Sequence, residues 1–254
     1  MKKVFMGDLH NHLRRSGYFS KFNYLSCSKK SIEENYIRKA KEEKFDFLGV
    51  SFTIDNKSWC REMVKELTYK YNGKDGFLLT NEEVQEKWGH IIFLGNLPIS
   101  NLSNISMERI IKEKSEGGII IAAHPQGYWK RELFLEYDEK GYFDCIEFGP
   151  WGGYDLTSIV NHYLKKLNEG KKFSCSGSSD IHCQPKMLNT LCRIFIIAGD
   201  LSKESIINSI KEGNCLGSFF EYLVGDIELY EEYVGLTNRK YNLNLRILKE
   251  EVLW

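Results

Sequence analysis

Short apolar runs alternate with longer amphipathic stretches along most of this chain. The runs at 4–9, 45–52, 77–79, 91–94, 119–123, 143–148, 172–176 and 193–198 predict strands. Those at 45–52 and 119–123 are almost continuously apolar, as strands buried on both faces are. The stretches at 31–44, 57–71, 106–116, 155–169 and 202–212 carry the helical period. Ser31 with Glu34 forms a capping box, and Asp155 is a second N-cap. Gly117-Gly118, Gly170 and Gly213 mark helix ends.

Repeated strand–helix units predict the α/β class, with a parallel sheet or barrel. In such folds active groups gather at the C-terminal ends of strands. From about Gly217 the rhythm breaks, and residues 221–234 are rich in acidic and aromatic side chains. The expected division is a main unit over 1–216 and an appendage over 217–254 packed on it. No repeat or low-complexity segment is evident.

Candidate chemistry clusters strongly. Five of the six histidines lie in Asp8-Leu9-His10-Asn11-His12, the stretch from Glu83 to His90, His124-Pro125 and Asp180-Ile181-His182, most of them after an apolar run. Residues i and i+2 of a strand share a face, so His10 and His12 are expected to project together, as are Asp180 and His182. Imidazoles and carboxylates converging at strand ends are what a multi-metal hydrolase requires. By the same alternation Asp8 faces with His10 and is expected to orient an imidazole through a hydrogen bond. Glu147 ends another strand as buried support or as a substrate contact. His162 sits in a helix away from the motifs, structural or exposed.

Composition narrows the classes. The 254 residues carry a formal net charge of +0, so no global field favours nucleic acid or an acidic membrane. Tyr128-Trp129-Lys130-Arg131 sets aromatics beside basic residues, but two charges are too few for a nucleic-acid surface. Seven cysteines, an odd number without a C-x-x-C pair, point to the reducing cytoplasm. Cys183 is a neighbour of His182 rather than a ligand. The N-terminus has two lysines but no long apolar segment, which argues against a signal peptide, and no run reaches membrane-spanning length. Gly177-Ser178-Ser179 lacks the second glycine of a nucleophile elbow, against a serine hydrolase.

Taken together, Asp-Leu-His-Asn-His near the N-terminus, Glu83-Val84 with His90 seven residues on, Ala123-His124-Pro125 and Ser179-Asp180-Ile181-His182 resemble the PHP (polymerase and histidinol phosphatase) superfamily. The tight spacing from Glu83 to Gly89-His90 is similar to its stand-alone branch of CehA/McbA-type metallohydrolases. The resemblance covers roughly 1–216 and implies a distorted (β/α)7 barrel with up to three metals at its C-terminal face. Carried over by position, His10, His12, Glu83 and Asp180 would hold one ion. Glu83, His90 and His124 would hold a second, with Glu83 bridging, and His182 would belong to a third.

Two departures bear on that third ion. The family's Thr-Asp-His after the second strand is replaced by Val50-Ser51-Phe52-Thr53-Ile54-Asp55-Asn56, and Leu13, Arg14 and Arg15 follow His12 where a histidine often stands. Two ions (Mn, Fe or Zn) are therefore expected, with the third site weak or absent. Asp55 is either a substitute ligand or a turn or cap residue.

The expected function is a metal-dependent phosphoesterase acting on a small phosphomonoester or phosphodiester through a metal-bridging hydroxide, with Glu83 and Asp180 as its carboxylates. Arg14 and Arg15 either clamp an anionic substrate bidentately or are solvated loop charges. The aromatic loop at 148–154 either lines the pocket or simply packs. Two alternatives stay open: hydrolysis of a non-phosphate ester or carbamate, and a metal-binding or regulatory module without catalysis. The partner is a small, anionic molecule rather than a membrane or nucleic acid.

Overall fold

In the computed structural model of this chain, residues 2–12, 37–52, 66–67, 69–70, 78–95, 106–114, 117–149, 156–182, 192–219, 222–226, 228–229, 231–233, 237, 241 and 246–247 are described, those at 52, 78–83, 113, 182, 246 and 247 by backbone alone. The strands are β1 (Lys3–Asp8), β2 (Asn11–His12), β3 (Phe47–Phe52), β4 (Leu78–Glu86), β5 (Gly89–Leu94), β6 (Ile119–Ala123) and β7 (Cys145–Phe148), then β8 (Ser174–Gly177), β9 (Ile181–His182), β10 (Arg193–Ala198), β11 (Cys215–Phe219), β12 (Tyr222–Val224) and β13 (Arg246–Ile247). Eleven of them form one mixed sheet in the order β13-β12-β11-β10-β1-β3-β4-β5-β6-β7-β8, while β2 and β9 form a separate parallel pair.

The architecture is mixed α/β, but among the described residues the sheet is not a closed barrel and not all parallel. β4 and β5 are joined by a hairpin turn at Lys87-Trp88, so β5 runs antiparallel to both β4 and β6. β10 runs antiparallel to β1. A hairpin needs no crossover helix, which is why strand–helix alternation alone overestimates the parallel pairing.

The sheet nevertheless curls until its far strands touch. Cys175 on β8 accepts from Gly217 N–H of β11 at 3.3 Å and donates to Val224 O of β12 at 2.8 Å. A Cβ on Gly177 would stand 2.1 Å from Ser218 O and 2.6 Å from Arg193 N, so only glycine permits this approach. No ladder joins β8 to β11 among the described residues.

Alternation sorts the core into three clusters. Phe47, Ile92, Ile121, Cys145, Ile194 and Cys215 pack together although their strands are widely spaced in the sheet order, so they fill its concave side. On one convex flank Val4, Met6, Leu48, Val50 and Phe195 are covered by α1 (Arg38–Glu42) and by Tyr233 and Tyr241 of the chain's last part. On the other, Ile91, Phe93, Ile120, Ile146 and Phe148 are covered by three helices. These are α2 (Met107–Glu113), α4 (Arg131–Glu139) and α5 (Leu156–Asn168). A short α3 (Pro125–Tyr128) precedes α4, and α6 (Lys203–Lys211) packs on the concave cluster.

Ser106 and Ser202 cap α2 and α6, accepting from Arg109 N–H at 3.3 Å and Ser205 N–H at 3.1 Å. The 31–44 helix is described only from residue 37, and Asp155 lies outside the described residues. β11 runs continuously through the expected 216/217 division. The Tyr241 hydroxyl accepts from Met6 N–H at 3.0 Å and meets the Asp46 carboxylate, which ties the last part of the chain to β1. Among the described residues no helix is long and apolar enough to cross a membrane.

Candidate metal centre

The chain leaves β1 after Asp8 and crosses over β3 at Gly49. A Cβ there would stand 2.4 Å from Leu9 O and 2.7 Å from Leu9 Cα, so the crossing needs glycine. Gly49 O in turn accepts from Asn11 Nδ2 at 3.1 Å. Beyond the crossing, β2 pairs in register with β9, Asn11 with Ile181 and His12 with His182. Two motifs 170 positions apart are thereby joined directly. Ser179 Oγ–H donates to Asn11 Oδ1 at 3.0 Å. The Asp8 carboxylate accepts from His10 N–H at 3.0 Å and from Ser179 N–H at 3.1 Å.

Asp8 therefore holds backbone, not an imidazole as expected from its spacing. Burial pushes its carboxyl up to about 7, against the pull of the Ser179 and His10 hydrogen bonds. The imidazole-facing carboxylate is instead Glu147 at the end of β7. It is fully buried, and both its oxygens lie 3.1 Å from His10 Nδ1. Sequence reasoning placed Glu147 at a strand end but gave it no ligand role, because its partner lies 137 residues away.

Around these anchors the predicted ligands come together. His10 Nε2 lies 3.0 Å from His12 Nε2, and Asp180 Oδ1 lies 3.4 Å from the first and 3.3 Å from the second. Asp180 Oδ2 lies 3.8 Å from His124 Nε2. The His124 ring stacks on His10 at 5.3 Å and meets His90 edge-on at 5.1 Å. Two groups have the spacing of metal ligands, His10 with His12 and Asp180, and His10 with His124 and Glu147. His124 (φ 31°) and Asp180 (φ 45°) both adopt the left-handed region, which Asp and His enter more readily than most residues. Burial lowers the His124 pKa and keeps that imidazole neutral, the form that ligates.

The donor chemistry fits a cation. His12 Nδ1 donates to Ser51 O at 3.2 Å, and His10 Nδ1 faces the Glu147 carboxylate, so both rings turn an Nε2 lone pair inward. Two lone pairs and a carboxylate oxygen at 3.0–3.4 Å repel unless a positive charge sits among them. Donors about 2.0–2.1 Å from a zinc ion stand ~2.9 Å apart at a right angle and ~3.4 Å apart at the tetrahedral angle. The observed separations span that range.

His90 opens β5. Trp129 Nε1–H donates to His90 O at 3.0 Å and Ala123 O at 3.2 Å, binding the start of β5 to the end of β6. A Cβ on Gly89 would meet the Trp129 ring at 2.1 Å, which accounts for glycine before this histidine. Tyr128, 58% exposed, stacks on His90 at 4.8 Å and forms a rim. Glu83 lies inside β4, opposite Ile92, rather than at a strand end, because the hairpin carries β4 on to Glu86. The side chains of Glu83 and His182 lie outside the described residues, as do Arg14, Arg15, Asp55, Cys183 and the 150–154 part of the aromatic loop. His162 stands apart from the centre and pairs with Asp138 at 2.5 Å.

This chain shares its fold with a PHP-like protein. One match is to a crystal structure of a two-domain protein from Bacteroides vulgatus ATCC 8482 containing a predicted PHP-like metal-dependent phosphoesterase. The TM-score is 0.62 at 16% identity, over 92% of this chain and 70% of that one. At that identity the likeness is one of fold. No family model matches the sequence, and no curated protein matches it.

Proposed function

We propose that the chain is a metal-dependent hydrolase of the PHP type and that its substrate is a small phosphomonoester or phosphodiester. The observation that carries this reading is the convergence of His10 Nε2, His12 Nε2 and Asp180 Oδ1, with the Nδ1 atoms of both rings already engaged. In this reading His10, His12, Asp180 and Glu83 hold one ion, and His90, His124 and Glu83 hold a second. Asp180 Oδ2, close to His124, lies between the two groups. His182 alone represents a third site. The curled sheet is then a distorted (β/α)7 barrel without its last ladder, and the chain after residue 216 is its appendage.

Mn, Fe or Zn ions held there supply Lewis acidity and charge neutralisation at a phosphoryl group. The residues supply the rest. The buried His124 imidazole, held neutral, binds without competing for a proton, and Arg14 or Arg15 grips a phosphate oxygen pair. Tyr128 on the rim packs against whatever lies over His90. The buried thiols Cys145, Cys175 and Cys215 are consistent with a reducing cytoplasm.

Metal content per chain tests this first, by element-resolved mass spectrometry on protein purified without chelator or affinity nickel. About two ions of Mn, Fe or Zn are expected, with turnover of aryl phosphomonoesters or phosphodiesters that Arg14→Ala or Arg15→Ala abolishes. No bound metal, even after reconstitution, would overturn the reading. Two ions without phosphoester turnover would favour an ester or carbamate substrate, or a metal-binding module.

A further inference from the structure

Glu147 belongs to none of the ligand sets implied by the sequence motifs, yet its carboxylate lies directly against a candidate ligand ring. It lies on β7, is fully buried and points both oxygens at His10 Nδ1 from 3.1 Å. Its Oε1 also accepts the backbone N–H of His124 at 3.3 Å, at the left-handed residue where β6 gives way to α3. One carboxylate thus touches a side chain assigned to the first ion and the backbone of a residue assigned to the second.

The chemistry of that contact is directional. A neutral imidazole carries one N–H, and a carboxylate only accepts. The His10 proton is therefore placed on Nδ1, which leaves the Nε2 lone pair facing His12 Nε2 at 3.0 Å and Asp180 Oδ1 at 3.4 Å. His12 obtains the same tautomer from the Ser51 carbonyl, a neutral acceptor. His10 is backed instead by a buried carboxylate, which makes its Nε2 a more basic donor.

We propose that Glu147 is the positioning residue of this centre. It selects the Nδ1–H tautomer of His10, strengthens Nε2 as a ligand, and fixes His124 in the left-handed turn that brings its ring over His10. The inference rests on the metal-centre reading given above, but its sharpest consequence is visible without any metal.

The test uses the full chain and Glu147→Gln, which keeps shape and removes charge. If the glutamine oxygen keeps the His124 N–H, its amide nitrogen takes the place of Oε2 and donates to His10 Nδ1. The proton is then forced to Nε2 and the ligand lone pair is lost. In the metal-free wild type, ¹⁵N chemical shifts should report His10 as the Nδ1–H tautomer, and in Glu147→Gln as Nε2–H. Titration of each protein with Zn²⁺ or Mn²⁺ alone should show affinity falling about 10–100-fold, the usual cost of losing such a carboxylate partner. Glu147→Asp, which retains the charge, should recover part of it.

An Nε2–H tautomer for His10 in the wild type overturns the proposal even if the variants fail to fold. So does equal metal affinity in wild type and Glu147→Gln, and so does loss of one ion outright with an unchanged tautomer, which would make Glu147 a ligand. A wild type that binds neither metal would sink the metal-centre reading while leaving the tautomer assignment standing.

Discussion

Gly49→Ala should damage the metal centre from a position that touches no metal. The added Cβ would stand 2.4 Å from Leu9 O and 2.7 Å from the Leu9 carbonyl carbon and Cα. These are backbone atoms, so no side chain can swing aside. Opening the tightest contact to 3.0 Å, which real Cβ atoms barely reach, moves the Leu9 backbone by about 0.6 Å. The next residue is His10, whose Nε2 must meet its partners to within about 0.2 Å of ideal metal–ligand distances. The shift also strains the Asn11 Nδ2 bond to Gly49 O, now 3.1 Å. Overpacking of this kind costs ~1–3 kcal/mol of stability. A ligand displaced beyond the ~0.5 Å that functional geometry tolerates should weaken Zn²⁺ or Mn²⁺ binding at least tenfold. Urea unfolding of the metal-free protein reads the first number, and competition against a fluorescent chelator reads the second. Gly199→Ala is the control, since a Cβ there meets nothing within 4 Å. Wild-type stability and wild-type affinity in Gly49→Ala would refute the idea that the first motif is held in place by its close crossing of β3.

Other consequences are independent of that crossing. Glu83→Ala should lose both ions together and His182→Ala should keep two, as counted by element-resolved mass spectrometry; full metal content in Glu83→Ala would remove the bridging assignment. Asp138→Ala should cost ~3–5 kcal/mol in urea unfolding. It strands Lys166, whose Nζ lies 2.5 Å from Asp138 Oδ1 and whose side chain is 11% exposed, and it also removes the partner of His162. A cost below ~1 kcal/mol, the value of a surface pair, would mean that Lys166 finds water instead. Burial pushes the Cys175 thiol up from 9.0 to about 12, and raises Cys145 and Cys215 as well. Because the folded state holds these protons more tightly than the unfolded chain, their contribution is intact below pH 9 and is lost as pH climbs towards 12. The urea midpoint should therefore fall between pH 8 and pH 10.5, and at pH 8 iodoacetamide should label these thiols only after unfolding. Labelling of the native protein, or a midpoint unchanged by alkali, would contradict their burial.

The sequence made local structure legible wherever a single segment carries its own reasons. The runs at 119–123 and 193–198 coincide with β6 and β10 because the first is wholly apolar and the second is apolar after Arg193. Ser106, Ser202, Gly170 and Gly213 mark helix ends because caps and left-handed stops are chosen by the residues themselves. What stayed hidden depends on partners far along the chain. The helix Arg131–Glu139 escaped the pattern because one of its two buried positions is Asp138, whose burial is intelligible only once Lys166 and His162 face it. The direction of β10 is set by its antiparallel ladder with β1, which nothing in 193–198 announces.

The metal centre is the more instructive case, because residues that converge in the fold were singled out for a reason that does not hold there. Strand alternation predicted that His10 and His12 point together. In the structure β1 has ended at Asp8, His10 lies outside any strand, and Asp180 occupies a left-handed turn. The two imidazoles converge because the chain turns out of the sheet, where Asp8 and Asn11 hold that turn to β3 and to Ser179. This also explains why Asp8 does not orient a ring as its spacing suggested, whereas Glu147 faces one. A carboxylate beside a turn finds backbone N–H groups, whereas one at a strand end across the curled sheet finds a ring.

That division of labour leaves the centre with an excess of acceptors. Asp8, Glu147 and Asp180 are all buried, and two imidazoles turn lone pairs inward beside them. Arg193, which feels the Asp8 carboxylate, turns its guanidinium toward Met6 and Phe45 on the convex side. A fold that aligns this many acceptors and spends left-handed backbone at His124 and Asp180 to do so is stable only if something positive completes it. Protons can serve at low pH, but at neutral pH the imidazole of His124 is neutral by burial. A divalent cation set among these acceptors would balance them, which is the physical content of reading the centre as a site for such ions.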